Sequence, residues 1–420
     1  MSSRRAFIKS GAIAMFGIGL GGVPAFVSRA AASFKNFGQY KKNKILICIF
    51  QRGAMDGLMA VSPFTDAYLK AARPSIFMQT KGEKNESLIN LDERFGLHPS
   101  MAAFGQLFKE QQLAIIHGIG SPNNSRSHFD AQDYMETATP FHKGTPSGWL
   151  NRASGLLGHD ASAFRAVSLT SSMPRSFYGD QPTLTINNLT DFAIRNKSGR
   201  PTINTTAQSF EELYDQAANQ LLKSTSKETF DAVDMLSKVD VKNYKPTNGA
   251  VYPNTNLGNA LKQLTQLIKA DVGLEIGFAE STGWDTHYNQ GTAKGSFAKS
   301  ANDLAESISA MWKDLGGDLQ DRVVIMTMTE FGRTVKQNGT GGTDHGRASC
   351  SFVIGNHLNG GKVHGNIQPL AVENLDEGRD LMVTTDFRAL FSEVASKHML
   401  INNQHILFPD YDGVVTSVFR

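Results

Sequence analysis

Lys44-Ile45-Leu46-Ile47-Cys48-Ile49-Phe50, followed at once by Gln51-Arg52-Gly53-Ala54-Met55-Asp56-Gly57, is the stretch that decides the fold. Its first half is an unbroken run of apolar, β-favouring residues, the pattern of a central parallel strand buried on both faces. Its second half turns polar and glycine-rich, as a loop leaving such a strand does. The same change recurs three times. Leu113-Ala114-Ile115-Ile116-His117-Gly118 gives way to Ser121-Pro122-Asn123-Asn124-Ser125-Arg126-Ser127-His128, and Leu274-Glu275-Ile276-Gly277-Phe278-Ala279 gives way to Gly283-Trp284-Asp285-Thr286-His287. The run 322–329 ends at Glu330-Phe331-Gly332-Arg333-Thr334. Amphipathic helices are predicted at 257–270 and 297–315, a short strand at 351–355, and a last helix at 386–397 with Asp386 as its N-cap. Alternating strands and helices predict an α/β fold: a mostly parallel central sheet flanked by helices. Residues 148–252 separate two clusters of strand-like runs and read as an insertion or cap, polar at 187–208 and helical at 210–239.

The chain opens Met1-Ser2-Ser3-Arg4-Arg5-Ala6-Phe7-Ile8-Lys9, an arginine pair ahead of a glycine- and alanine-diluted apolar stretch and the small residues Ala30-Ala31-Ala32. This is the pattern of a cleavable twin-arginine signal peptide over residues 1–32. It implies the twin-arginine translocase as a partner during export, a periplasmic or extracellular location, and a single α/β domain over 33–420. The apolar stretch is short of the roughly 20 residues a spanning helix needs, and no later segment approaches that length. Of the 42 basic residues, Arg4, Arg5, Lys9 and Arg29 lie in the signal, leaving 38 against 39 acidic ones. The mature chain is therefore near neutral, without the basic surplus expected of a nucleic-acid binder. Cys48 and Cys350 both sit in or beside apolar runs, as buried thiols do. Whether they pair is left open by the sequence.

Residues able to hold a metal fall repeatedly just after the strand-like runs: Asp56, Asp285 with His287, Glu330, and Asp344 with His345. In an open α/β sheet the carboxyl ends of parallel strands line one crevice, so these positions can converge on a divalent ion such as Zn, Mn or Ca. Singly, each also fits a turn or cap. Ser127 lies where a loop enters a helix, which suits either an activated nucleophile or a plain cap, with Ser125 in reserve. Arg52 and Arg333 flank proposed ligands and suit ester oxygens or ion pairs equally. Trp284, Phe331 and the segment near Met326 read as core.

The segments 52–57, 125–130, 283–287, 329–334 and Gly342-Thr343-Asp344-His345-Gly346, behind a twin-arginine signal, resemble the exported bacterial family called domain of unknown function 1501. That family is in turn similar to the alkaline phosphatase and sulfatase superfamily. The resemblance implies an alkaline-phosphatase-like fold with Asp56 as first ligand, Ser127 as nucleophile beside His128, Asp285 and His287 as paired ligands, Glu330 as the carboxylate after a strand, and His345 as the late histidine. In an alternative register Asp344-His345 is the ligand pair and His364 the late histidine. The implied activity is an exported metal-dependent hydrolase of small-molecule or polymeric phosphate or sulfate esters, with Ser127 or a metal-bound water as nucleophile. The Asp285-Thr286-His287 spacing and the Glu330-Phe331 pair depart from that pattern. They support the alternative, a noncatalytic periplasmic binding or assembly protein with a degraded site on the same fold.

Overall fold

The computed structural model describes residues 43–83, 85–159, 161–189 and 243–420. The signal peptide expected at 1–32 and the helix expected at 210–239 lie outside them. The strands are β1 (Ile45–Gln51), β2 (Val61–Ser62), β3 (Ile89–Asn90), β4 (Gly96–Leu97), β5 (Leu113–Gly120), β6 (Ala166–Ser168), β7 (Leu184–Thr185), β8 (Ile276–Ser281), β9 (Val323–Met328), β10 (Ser349–Ile354), β11 (Lys362–His364) and β12 (Thr385–Asp386). The helices used below are α1 (Gly57–Ala60), α2 (Ala102–Lys109), α3 (His128–Thr137), α4 (Trp149–Leu156), α5 (Asn256–Lys269), α6 (Ser296–Leu315) and α7 (Phe387–Glu393).

The main sheet runs β11-β5-β10-β9-β1-β8-β6-β7, with β12 also on β5. Its pairs are parallel except where β10 meets β5 and β9. β2, β4 and β3 form a separate small sheet. β1 lies in the middle with every residue buried, as its unbroken apolar run requires. Ile45, Ile47 and Ile49 face a core shared with α2, α5 and α6. Leu46, Cys48 and Phe50 face a second core containing Trp149 of α4 and Phe387 and Phe391 of α7. Helices therefore cover both faces, which makes the molecule a mixed α/β fold with a mostly parallel central sheet. Among the described residues no helix is long and apolar enough to cross a membrane.

Two features differ from expectation. Part of the stretch read as an insertion belongs to the core: α4 packs Trp149 and Leu150 against it, and β6 continues the sheet from β8. Strands of three and two residues are too short for periodicity to reveal, which is why the sequence pattern places them outside the core. The second difference is the reversed direction of β10. The two thiols are free and buried, Cys48 in one core and Cys350 in the other, so the sheet itself stands between them.

Candidate metal centre

Because β1, β5, β8 and β9 run in one direction, their outgoing loops share one edge. β10 runs the other way, so the segment entering it, 342–348, starts from that same edge. This brings His345 into the group although it precedes a strand. The two arms are laced by hydrogen bonds from Gly332 N to Arg347 O at 2.8 Å and from Gly346 N to Gly332 O at 2.8 Å. A Cβ on Gly332 would stand 1.8 Å from Ala348 O, and one on Gly346 2.4 Å from Arg333 C, so only glycine permits this approach.

Three imidazoles meet there. His345 Nε2 lies 3.0 Å from His128 Nε2 and 2.9 Å from His287 Nε2. Each ring is held from behind through Nδ1: His128 on Glu330 Oε1 at 2.8 Å, His287 on Asp344 Oδ1 at 3.0 Å, and His345 on the carbonyl of Arg126 at 2.9 Å. Acceptors on all three Nδ1 atoms fix the tautomers, leaving the Nε2 lone pairs directed at one another. Lone pairs at about 3 Å repel unless a metal ion or a proton on one of the rings lies among them. Asp285 supplies negative charge, Oδ1 standing 3.1 Å from His287 Nε2 and 3.4 Å from His345 Nε2, and Oδ2 3.7 Å from His128 Nε2. Ligand atoms of His128, Asp285 and His345 fall within 4.8 Å of one another, a group able to hold a metal ion. The donor set therefore fits a divalent metal, with the orienting hydrogen bonds that metal-bound histidines keep.

Electrostatics follow the same plan. The hydrogen bond to Glu330 holds the pKa of His128 above its ordinary value, aided by the charges of Glu330 and Asp285. Burial lowers that of His345, and the neighbouring Arg333 and His128 charges lower it further. Burial pushes Asp285 up, but the hydrogen bond and charge of Arg333 outweigh it and keep the carboxyl below its usual value. Glu330 is likewise kept low against burial by donors from His128, Gln132 and the backbone N–H of Gly53. Asp344 is lowered chiefly by its hydrogen bond from Asn338.

The residues singled out in the sequence divide accordingly. His128, His287, His345 and Asp285 converge. Glu330 and Asp344 orient histidines instead of offering free ligand atoms. Arg333 is buried and directs Nη2 at Asp285 Oδ1, 2.6 Å away, and at the carbonyls of Gly53 and Trp284, while Nε reaches that of Ala54 and Nη1 that of Thr343. Arg52 pairs with Glu136 at 2.9 Å and Glu280 at 2.7 Å and reaches the centre only indirectly, donating to Gln132 Oε1 at 3.0 Å. Asp56 stands apart from the four: it caps α1 through Met59 N and is bound by Arg73 at 2.8 and 3.1 Å and by Gln290 at 2.8 Å. Those four donors occupy both carboxylate oxygens. His364 sits on β11 and holds the carbonyl of Asn359, which removes the alternative register. Ser127 is exposed at the N-terminus of α3 and makes no side-chain capping bond, so the plain cap role is not the one it plays. Sequence reading missed Gln132, one helical turn beyond His128, and the carbonyl of Arg126. The first was open to discovery from its i,i+4 spacing; a carbonyl carries no side-chain signal.

An α/β sheet with a histidine–carboxylate cluster at the carboxyl edge of its parallel strands is the class of molecule that these observations define. Within that class, the chain belongs to the family described as "Protein of unknown function (DUF1501)", which matches residues 43–407. No curated protein matches. Among solved structures, the chain is similar to the PH0037 protein from Pyrococcus horikoshii at 13% identity and a TM-score of 0.28, covering 76% of this chain and 88% of that one.

Proposed function

We propose that this chain is an exported metal-dependent hydrolase of phosphate or sulfate esters on an alkaline-phosphatase-like fold. The observation that carries the reading is the trio of Nε2 atoms at 2.9–3.0 Å with every Nδ1 already tied to an acceptor. His128, His345 and Asp285 would hold the ion, with His287 adjoining. An imidazole-rich set suits Zn better than Mn or Ca, both of which favour oxygen ligands. Such an ion would supply Lewis acidity toward the ester.

The chain's own residues do the rest. Arg333 holds the Asp285 carboxylate ionised and in place. Ser127 offers an exposed hydroxyl one residue before His128, at a helix N-terminus whose dipole favours negative charge. Arg52 and Arg333 are engaged by carboxylates and carbonyls, so ester oxygens are met by the N-terminus of α3 and not by those arginines. The twin-arginine reading of residues 1–32 gives the translocase as transient partner and the periplasm or exterior as the site of action. The engagement of both arginines equally favours a second reading, a noncatalytic exported binding or assembly protein with a degraded site on the same fold.

The test is metal stoichiometry on the purified protein after Zn or Mn supplementation, followed by a panel of phosphate and sulfate mono- and diesters. The hydrolase reading expects about one ion or more per chain and turnover that is lost on chelation. Ser127→Ala should keep the ion and lose turnover by orders of magnitude if Ser127 is the nucleophile. No stoichiometric ion, or an ion with no turnover on any ester, favours the binding or assembly protein over the hydrolase.

A further inference from the structure

Asp380 lies between β11 and β12, and its side chain is fully buried. Two arginines enclose it. Arg126 gives Nε and Nη2 to Oδ2 at 2.9 and 2.6 Å, and Arg379 gives Nε to Oδ1 at 3.0 Å. Charge-assisted bonds of this kind are the strong ones, and breaking a buried pair is costly.

Both arginines go on to His345, and to different parts of it. The carbonyl of Arg126 accepts from His345 Nδ1 at 2.9 Å, while Arg379 Nη2 donates to the His345 carbonyl at 2.6 Å. One carboxylate therefore braces the ring of this histidine through one neighbour and its backbone through the other. Arg126 also stands two residues before His128, so the same clasp steadies the loop that delivers a second imidazole. The segment carrying Asp380 is fastened by other bonds as well: Val335 N donates to Arg379 O and Ala348 N to Leu381 O, each at 3.1 Å, and Arg347 pairs with Asp376 at 2.5 Å. What the Asp380 carboxylate adds is the tie across to Arg126. Glu377 reaches the same guanidinium at 2.8 Å, but it is half exposed, and a surface pair contributes little. A ring whose Nδ1 loses its acceptor can carry its proton on Nε2 instead, and then has no lone pair to offer an ion there.

We infer that Asp380 is a positioning residue of the centre: through Arg126 and Arg379 it holds His345 as the Nδ1–H tautomer with Nε2 turned to His128 and His287. The effect on ion binding rests on the metal reading proposed above; the effect on the ring does not. Long-range proton–nitrogen NMR of isotope-labelled histidine in chelator-treated protein at about pH 8, paired with a competitive chelator titration for Zn, tests it in the wild type, D380N, R126M and the double variant. Asp380→Asn keeps the shape and gives up the charge; Arg126→Met keeps the carbonyl and releases the clasp. In the wild type His345 should carry its proton on Nδ1 alone. D380N should show both tautomers at His345 while His287, held by Asp344, is unchanged. Its Zn affinity should fall about tenfold, the low end for orienting partners because Asp380 acts one bond further out. R126M should shift both readouts the same way, and it decides the question if D380N does not fold, since its side chain is partly exposed. The double variant should bind Zn no more weakly than D380N, because both changes act through one clasp. A His345 ring that stays in the Nδ1–H form in the single variants, an equal loosening of His287, or affinity losses that multiply overturns the assignment. Wild-type protein that binds no Zn removes the metal reading and leaves the NMR to decide on Asp380. Zn bound with His345 unmoved in the variants removes the role of Asp380 and leaves the metal reading standing.

Discussion

Two aspartate–arginine pairs follow strands of the same sheet, and they do opposite things. Asp56 and Arg73 are 1% and 2% exposed; every carboxylate oxygen is taken up by Arg73, Gln290 or the α1 backbone. Asp285 is 48% exposed although its partner Arg333 is fully buried, and its carboxylate faces the imidazoles. Sequence marks both aspartates alike, as acidic residues after a strand. What separates them is saturation: a sealed carboxylate fastens loops, and an open one held from a single side is available to a ligand.

The largest expected effect would break the sealed pair. Arg73→Met leaves the Asp56 charge buried without its partner and should cost about 3–5 kcal/mol, read as a fall in the urea midpoint at pH 7. A loss under about 1 kcal/mol would mean that Gln290 and the backbone suffice to hold Asp56. In the open pair the loss should move from folding to binding. Asp285→Asn should lower Zn affinity by more than about 100-fold in a competitive chelator titration, while stability shifts by only about 1 kcal/mol or less. Equal loss of stability in the two variants would erase the distinction.

Glu330→Gln sharpens the comparison from behind the ligand. It keeps an acceptor for His128 Nδ1 but removes the charge, and Zn affinity should fall about 10–100-fold. A smaller effect belongs to pH. In chelator-treated protein His128 has a folded pKa raised above the ordinary 6.5. Its contribution to stability is therefore full below that value and lost as pH rises through the folded pKa. Tm of the metal-free protein should decline across that window, and His128→Gln should flatten the decline. The smallest effect is none: reductant should leave Tm unchanged, since both thiols are free and on opposite faces.

Much of the architecture was legible because β1, β5, β8 and β9 are buried on both faces and read as unbroken apolar runs; α5 and α6 kept their expected limits to within one residue. β6 and β7 were not legible, being too short for any period, and the direction of β10 was not either. A buried strand has the same composition whichever way it runs. At the site, residue types after strands located Asp285, His287, Glu330 and His345 but could not tell ligand from orienting partner. That difference depends on which lone pairs are already spoken for, as at Glu330 and Asp56, and no spacing encodes it.

The ligands of the centre are drawn from distant parts of the chain: His128 meets His345 across 217 residues and Glu330 across 202. Closing such loops comes late in folding, after local contacts have formed. The cluster therefore exists only when β5, β8, β9 and the returning β10 are all seated. On the proposed metal reading, ion uptake is expected to act as a readout of completion: a chain stalled with β10 undocked would lack His345 at the cluster and should differ from the finished fold by its indifference to zinc.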